Sequence, residues 1–181
     1  ACTWGKNNMS SLIKKEITKT DDKIRLGFLC GEIRNHPTFY LMKNFFKNLD
    51  KDIFSIYMFS YNHEADKKLH IEQDFNEFVD ITALSTTEST NKIQSYDLDI
   101  LIDLTTIISH NRSNIINQDI AKITIAYLAF PGTTGSQIYD YILTDNIVTP
   151  LDNQKYFTEQ FLYLPKSYQI NNGDINTDIK K

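Results

Sequence analysis

The sequence predicts an α/β fold: a mainly parallel sheet with helices on both faces. Two observations carry this. Apolar runs of strand length alternate with longer amphipathic or capped stretches of helix length, β-α-β-α-β-α-β-α-β along the chain. Two of the runs, "LDILIDLT" (98–105) and "ITIAYLAF" (123–130), are apolar almost throughout, as strands covered on both faces must be.

Each element follows from local pattern. Residues 1–22 are polar and lysine-bearing, with one apolar patch at Met9, Leu12 and Ile13; they read as a linker or the remnant of a preceding helix. "KIRLGFLC" (23–30) is a first strand, short and bounded by two aspartates and Gly31. The loop "GEIRNHP" leads to a helix over 37–50, because Pro37 suits a first helical turn. Leu41, Phe45 and Leu49, with Met42 and Phe46, give that helix one apolar face. A second strand covers 53–61, a charged helix 64–76, and a short third strand 77–81. "STTESTNKIQSYD" (85–97) opens on Ser and Thr cap candidates and reads as a helix. The buried strand 98–105 follows, then a helix over 111–122, the buried strand 123–130 and a strand in "YDYILTD" (139–145). "YFTEQFLYLP" closes with a short helix and a strand ending at Pro165; the tail from 169 is polar and expected to be disordered.

Bulk properties narrow the function. At 181 residues and 41% hydrophobic, the chain suits one domain with a real core. A net charge of −4 argues against nucleic acid or an anionic membrane as partner. Cys2 and Cys30 make neither a disulfide framework nor a zinc site, which fits a reducing cytoplasm. No apolar run reaches membrane-span length, and no signal-peptide core opens the chain. The first residue is Ala, which reads as a fragment or a processed chain.

In parallel sheets, ligands bind outside the carboxyl ends of the strands. That singles out the loops "GEIRNHP", "TTIISHNR" and "PGTTG". His36 in the first is either a general base or hydrogen-bond donor, or a plain helix cap. His110 is a weaker candidate; His63 and His70 read as solvated, and no His spacing suits a metal. Asp99 and Asp103 share one side of their strand and read as loop ties, with Asp103 nearer the ligand edge. "PGTTG" lacks the third glycine of a dinucleotide fingerprint and the lysine of a P-loop, and by itself reads as a turn.

Taken in order, "IRLGFLCGEIRNHPTFYLM", "YDLDILIDL" and "IAYLAFPGTTGSQIYDYILTD…TP…FTEQFLYLP" resemble the catalytic region of the O-linked N-acetylglucosamine transferase family, which includes the SPINDLY-type proteins. The resemblance runs over about 23–168. It implies the N-terminal, acceptor-side Rossmann-like lobe of a two-lobed GT-B glycosyltransferase. It also implies that a C-terminal lobe holds most of the nucleotide sugar, and that a tetratricopeptide array precedes the catalytic region. The implied reaction is inverting and metal-independent, with no cofactor: N-acetylglucosamine passes from UDP-GlcNAc to Ser or Thr hydroxyls of proteins. Fucose from GDP-fucose, or a diverged non-catalytic binding module, is the alternative. An isolated lobe would be inactive.

By position, His36 matches the family's active-site histidine, flanked by the matching Asn35 and Pro37. Asp74 and Asn76, with Glu77, fall where the family carries further cleft residues. Leu128, Ala129, Pro131, Gly132, Thr133 and Thr134 match the loop that approaches the transferred sugar. Three positions depart. Tyr40 stands where a second histidine is frequent. Asp103-Leu104-Thr105-Thr106-Ile107-Ile108 replaces D-L-N-G-Y-T, and Ala129 replaces a common glycine.

Overall fold

A computed structural model describes residues 23–116 and 119–171. The linker expected over 1–22 and most of the tail lie outside the described residues. Seven strands form one sheet in the order β3-β2-β1-β4-β5-β6-β7. They are β1 (Ile24–Cys30), β2 (Phe54–Ser60), β3 (Glu77–Asp80), β4 (Leu98–Asp103), β5 (Ala121–Ala126), β6 (Tyr141–Thr144) and β7 (Gln160–Tyr163). Every pairing is parallel.

Helices cover both faces, as the near-continuous apolar strands require. Side chains along β1 alternate between them. Leu26, Phe28 and Cys30 join Phe39, Met42 and Phe46 of α1 (Pro37–Lys47) in one core. Leu29 joins Phe59, Ile81, Leu101 and Ile93 of α3 (Thr86–Gln94) in the other. The first core is aromatic: Phe46 stacks edge-on against Phe28 at 5.2 Å and tilts against Phe75 at 5.0 Å. α1 starts where expected, with Pro37 inside its first turn and His36 as N-cap. Its most buried face centres on Phe39, Met42 and Phe46, with Leu41, Phe45 and Leu49 packed at its flanks. α3 begins with a complete capping box between Ser85 and Glu88.

Four elements differ from the sequence expectation. The charged helix over 64–76 is only α2 (Ala65–Ile71) plus a 3₁₀ turn at Glu72–Asp74. Phe75, drawn into the aromatic core, pulls the chain into an extended state there. The helix expected over 111–122 is, among the described residues, a single 3₁₀ turn at Ser113–Ile115. Ile115, Ile116 and Ile120 are all buried, a spacing that a short irregular connection satisfies as well as a helix. β5 begins two residues earlier than expected and stops at Ala126, because the chain turns sharply at Leu128. The closing helix is a 3₁₀ segment, Leu151–Tyr156.

The sheet runs outward from β1 to β3, then returns to β4 on the other side of β1. The loops after β1 and β4 therefore diverge, and their divergence opens the crevice where such sheets take ligands.

Gly27 in β1 is there for packing. A Cβ on it would lie 2.5 Å from Leu98 Cδ1, 3.1 Å from Leu101 Cδ1 and 3.2 Å from Phe59 Cε2. Gly27→Ala is expected to overpack this core and lower the unfolding free energy by about 1–3 kcal/mol in urea denaturation. An unchanged midpoint would contradict the packing described.

Candidate active site

The carboxyl edge of the sheet is tied together by one buried carboxylate. Asp103, at the end of β4, is 1% exposed. Its Oδ1 accepts from the Thr105 N–H (2.8 Å) and the Thr106 N–H (3.0 Å), and its Oδ2 accepts from the Tyr139 hydroxyl (2.6 Å). Burial pushes its carboxyl above the ordinary aspartate range, and the three donors pull against that rise. Thr105 carries the tie across the switch point, its Oγ1 accepting from the Gly31 N–H at 2.9 Å. Asp99, at the other end of β4, accepts from the Arg25 N–H and from Lys122 Nζ, both at 2.8 Å. Both aspartates thus serve as ties, the role expected for such residues beside a strand.

A second clamp secures the loop after β4. Arg112 donates to the carbonyls of Ile81 (2.8 Å) and Leu84 (2.7 Å) and to Ser89 Oγ (3.0 Å), while its own N–H donates to the Tyr61 hydroxyl (3.2 Å). Burial pushes the Tyr61 phenol well above its usual value.

His36 lies on the loop after β1 and caps α1. Its Nδ1 accepts from the Thr38 N–H at 3.3 Å. A neutral imidazole in that pose carries its hydrogen on Nε2, and Nε2 has no hydrogen-bond partner among the described residues. The cap and the donor readings of His36 are therefore the same arrangement. Asn35 Oδ1 accepts from the Tyr40 hydroxyl at 3.0 Å, so Tyr40 braces the loop from the position where the family often has histidine. Exposed apolar side chains, Tyr40, Ile107 and Phe130, sit on the loops and helix that leave β1, β4 and β5.

Two independent features concentrate at this edge. Among the described residues, five side-chain atoms are buried without a hydrogen bond: Glu32 Oε2, Arg34 Nε, Ser60 Oγ, His63 Nδ1 and Thr106 Oγ1. All follow or end β1, β2 or β4 on the carboxyl side. Unsatisfied buried polar atoms are rare in folded proteins and collect at functional sites. Backbone strain collects here too. Among the described non-glycine residues, Asn62, Thr106, His110 and Leu128 hold positive φ at this edge and Asp97 at the other. Leu128, at φ +71°, is the centre of a three-residue turn closed by the Ala129 N–H on the Tyr127 carbonyl at 3.0 Å. Thr106, at φ +48°, is β-branched in a region that favours glycine, and it occupies the place of the family's glycine in D-L-N-G-Y-T.

The glycines and threonines of "PGTTG" have structural explanations. Gly135 holds φ +67°. Gly132 makes room for a ring: a Cβ there would meet Phe130 Cε1 at 2.6 Å. Thr133 and Thr134 donate their hydroxyl hydrogens to buried Glu159, from Thr133 Oγ1 to Oε2 at 2.7 Å and from Thr134 Oγ1 to Oε1. The Thr134 N–H adds a third bond at 2.8 Å. Burial pushes the Glu159 carboxyl up, and these hydroxyls and the amide outweigh it, leaving it below the ordinary glutamate range.

The predicted residues do not all meet. Asn35, His36, Pro37, Leu128, Ala129, Pro131 and Gly132 belong to segments leaving the carboxyl ends of β1 and β5, which flank β4 in the sheet. Asp74 and Asn76 do not join them. They precede β3, and in a parallel sheet that places them at the amino edge, where Asn76 Oδ1 accepts from the Ile56 N–H at 2.7 Å. His63, read as solvated, is largely buried, its ring against Phe78 at 5.4 Å and Nε2 3.8 Å from Asp80. Glu32, Arg112, Tyr139 and Glu159 were missed by the sequence reading. For Glu32 the available signal was a charged residue two positions after a buried strand.

A family model, glycosyl transferase family 41, matches residues 6–178. The chain belongs to this family. It is 29% identical over 151 residues to the probable UDP-N-acetylglucosamine–peptide N-acetylglucosaminyltransferase SEC of Arabidopsis thaliana, covering 82% of this chain and 16% of that protein. It is 27% identical to the UDP-N-acetylglucosamine–peptide N-acetylglucosaminyltransferase of Caenorhabditis elegans, over 82% of this chain and 13% of that one. A mutant of the O-GlcNAc transferase of Thermobaculum terrenum shares the fold with a TM-score of 0.76 at 23% identity, over 81% of this chain and 28% of its own. The family 41 chain described here thus spans about a sixth or less of the length of these curated relatives.

Two outcomes test the geometry. Thr106→Gly is expected to be more stable than Thr106→Ala by about 1 kcal/mol, reversing the usual order, because only alanine keeps a Cβ at positive φ; alanine proving equal or better would contradict the strain. Glu159, with its folded-state pKa depressed, stabilises the fold above the ordinary glutamate range and loses that contribution as pH falls through the folded value. Thr134→Val should therefore lower the urea midpoint at pH 7, with the gap to wild type closing as pH falls toward 3. A gap independent of pH would show that the hydroxyl does not act through the carboxylate.

Proposed function

We propose that this chain is the acceptor-side, N-terminal Rossmann-like lobe of an inverting protein O-glycosyltransferase that uses no metal and no cofactor. It moves N-acetylglucosamine from UDP-GlcNAc to Ser or Thr hydroxyls of proteins, with most of the nucleotide held by a second lobe. The observation that carries the reading is His36. A family 41 chain presents a half-exposed histidine at the switch point of a parallel sheet, with one ring nitrogen engaged by its own helix and the other without a partner. The unsatisfied atoms and left-handed residues around it support the same location.

The chemistry asked of this lobe is modest. The acceptor oxygen bonds to the anomeric carbon as the bond from that carbon to the diphosphate oxygen breaks, its electron pair leaving on the diphosphate. The acceptor's proton must be guided away, and a polar group within hydrogen-bond reach of the hydroxyl does this. His36 is that group. Tyr40, Ile107 and Phe130 give the acceptor chain an apolar rim. Pro131 and Gly132, with the turn at Leu128 and Ala129, form the wall nearest the sugar. Among the described residues no helix is long and apolar enough to cross a membrane, and no group of His, Cys, Asp or Glu is placed to hold a metal ion. A cytoplasmic setting with protein acceptors is part of the proposal.

The loop after β4 favours a second reading. Ile107 and Ile108 replace the aromatic residue and the hydroxyl of the family's sugar-facing loop, and Thr106 its glycine, as they would in a non-catalytic binding module. One assay separates the readings. The full-length protein is incubated with acceptor proteins and either UDP-GlcNAc or GDP-fucose, and the acceptors are weighed by intact mass spectrometry. Transfer from UDP-GlcNAc that falls at least a hundredfold in His36→Ala is expected, on the scale of a lost acid–base group of about 10²–10⁴-fold. No transfer from either donor would establish the binding module, and transfer from GDP-fucose alone would replace the sugar.

A further inference from the structure

The imidazole of His36 lies between two groups that make opposite demands on Nδ1. The Thr38 N–H offers it a hydrogen at 3.3 Å. Glu32 Oε2, 3.7 Å away, is a carboxylate oxygen and can only accept one. Glu32 is 3% exposed, and its Oε2 has no hydrogen bond. Arg34 approaches that oxygen to 2.7 Å, a charge contact without hydrogen-bond geometry. A buried carboxylate oxygen left in this state is costly. Here it stands just beyond hydrogen-bond reach of a side chain that can supply the missing donor.

We propose that Glu32 is a positioning residue for His36: its Oε2 takes the Nδ1 hydrogen and so leaves Nε2 free to accept the proton of the acceptor hydroxyl. The inference rests on the transferase reading given above. While Nδ1 accepts from Thr38, a neutral His36 carries its hydrogen on Nε2 and can only donate there. A small turn of the ring toward Glu32 exchanges a long neutral cap for a charge-assisted bond, roughly twice as strong as a neutral one. In that pose the hydroxyl proton moves to Nε2 as the acceptor oxygen bonds to the anomeric carbon. The resulting imidazolium keeps its Nδ1 hydrogen on Glu32. Glu32 touches neither sugar nor acceptor and acts only through the histidine.

The test reads the histidine directly. The full-length protein is labelled with 15N-histidine, and His36 is assigned by the loss of its signals in His36→Gln. Wild type is expected to show both tautomers in exchange, and Glu32→Ala to shift His36 to the Nε2–H form alone. Glu32→Gln keeps an acceptor oxygen of the same reach and is expected to retain the Nδ1–H form. It also covers the case in which the alanine variant does not fold. In the sugar-transfer assay, Glu32→Ala should lose about tenfold or more in kcat with the acceptor KM within about twofold, and Glu32→Gln should recover most of the loss. Identical His36 nitrogen shifts in wild type, Glu32→Ala and Glu32→Gln would overturn the proposal. If the wild type transfers no sugar, the transferase reading fails, and the nitrogen shifts still decide whether Glu32 selects the tautomer.

Discussion

Asp103 is the constraint on which the carboxyl edge depends. It is fully buried, and it takes hydrogen bonds from the two amides that begin the loop after β4 and from the phenol that precedes β6. Through Thr105 the same loop holds the first amide after β1. Three strands of the sheet are thus fixed to one another at the point where the chain's direction of travel reverses. Such a group is expensive to bury and is stable only when its partners are all in place. The cost explains its function as a tie: a shift of any of these loops leaves a buried carboxyl without its donors. The strained residues of the edge, Thr106 and Leu128, need that over-determination, because neither would hold positive φ in a loop free to relax.

The fold was legible in the sequence because its signals are local. Continuous apolar runs gave the buried strands, Pro37 and the Ser85–Glu88 pair gave helix starts, and alternation gave the parallel sheet. Where expectation and structure part, the deciding force is tertiary. Phe75 ends the second helix by joining Phe28 and Phe46, contacts that lie far off in sequence. The three isoleucines before β5 are buried by an irregular connection as well as they would be by a helix, so their spacing does not decide between the two. The site was legible only in part. His36 was found, since a strand, a turn and a proline bracket it. The bonds from Thr133 and Thr134 to Glu159 were not legible, because that partner is 25 or 26 residues away. Asp74 and Asn76 were placed at the site by a loose resemblance that ignored strand direction; the parallel register of β2 and β3 puts them at the opposite edge.

The two buried carboxylates at the edge differ in a way that fits their tasks. Glu159 is saturated by hydroxyl and amide donors and stays ionised, anchoring "PGTTG" to the segment before β7. Glu32 is buried beside His36, with its Oε2 making no hydrogen bond. That oxygen instead meets the Arg34 guanidinium at 2.7 Å without a hydrogen bond, and in the proposed pairing it holds the Nδ1 hydrogen of His36. In the proposed reaction the proton of the acceptor hydroxyl goes to Nε2 of His36, not to Glu32.

The central claim is that substrates meet the carboxyl edge around the β1–β4 crevice. Hydrogen exchange on the full-length protein, with and without UDP-GlcNAc and an acceptor protein together, tests it most directly. The account predicts new protection in the segments 31–36, 104–112 and 127–132, with none at the amino edge around 94–97 and 119–122. Protection confined to that amino edge, or to the β7 side of the sheet, would contradict it.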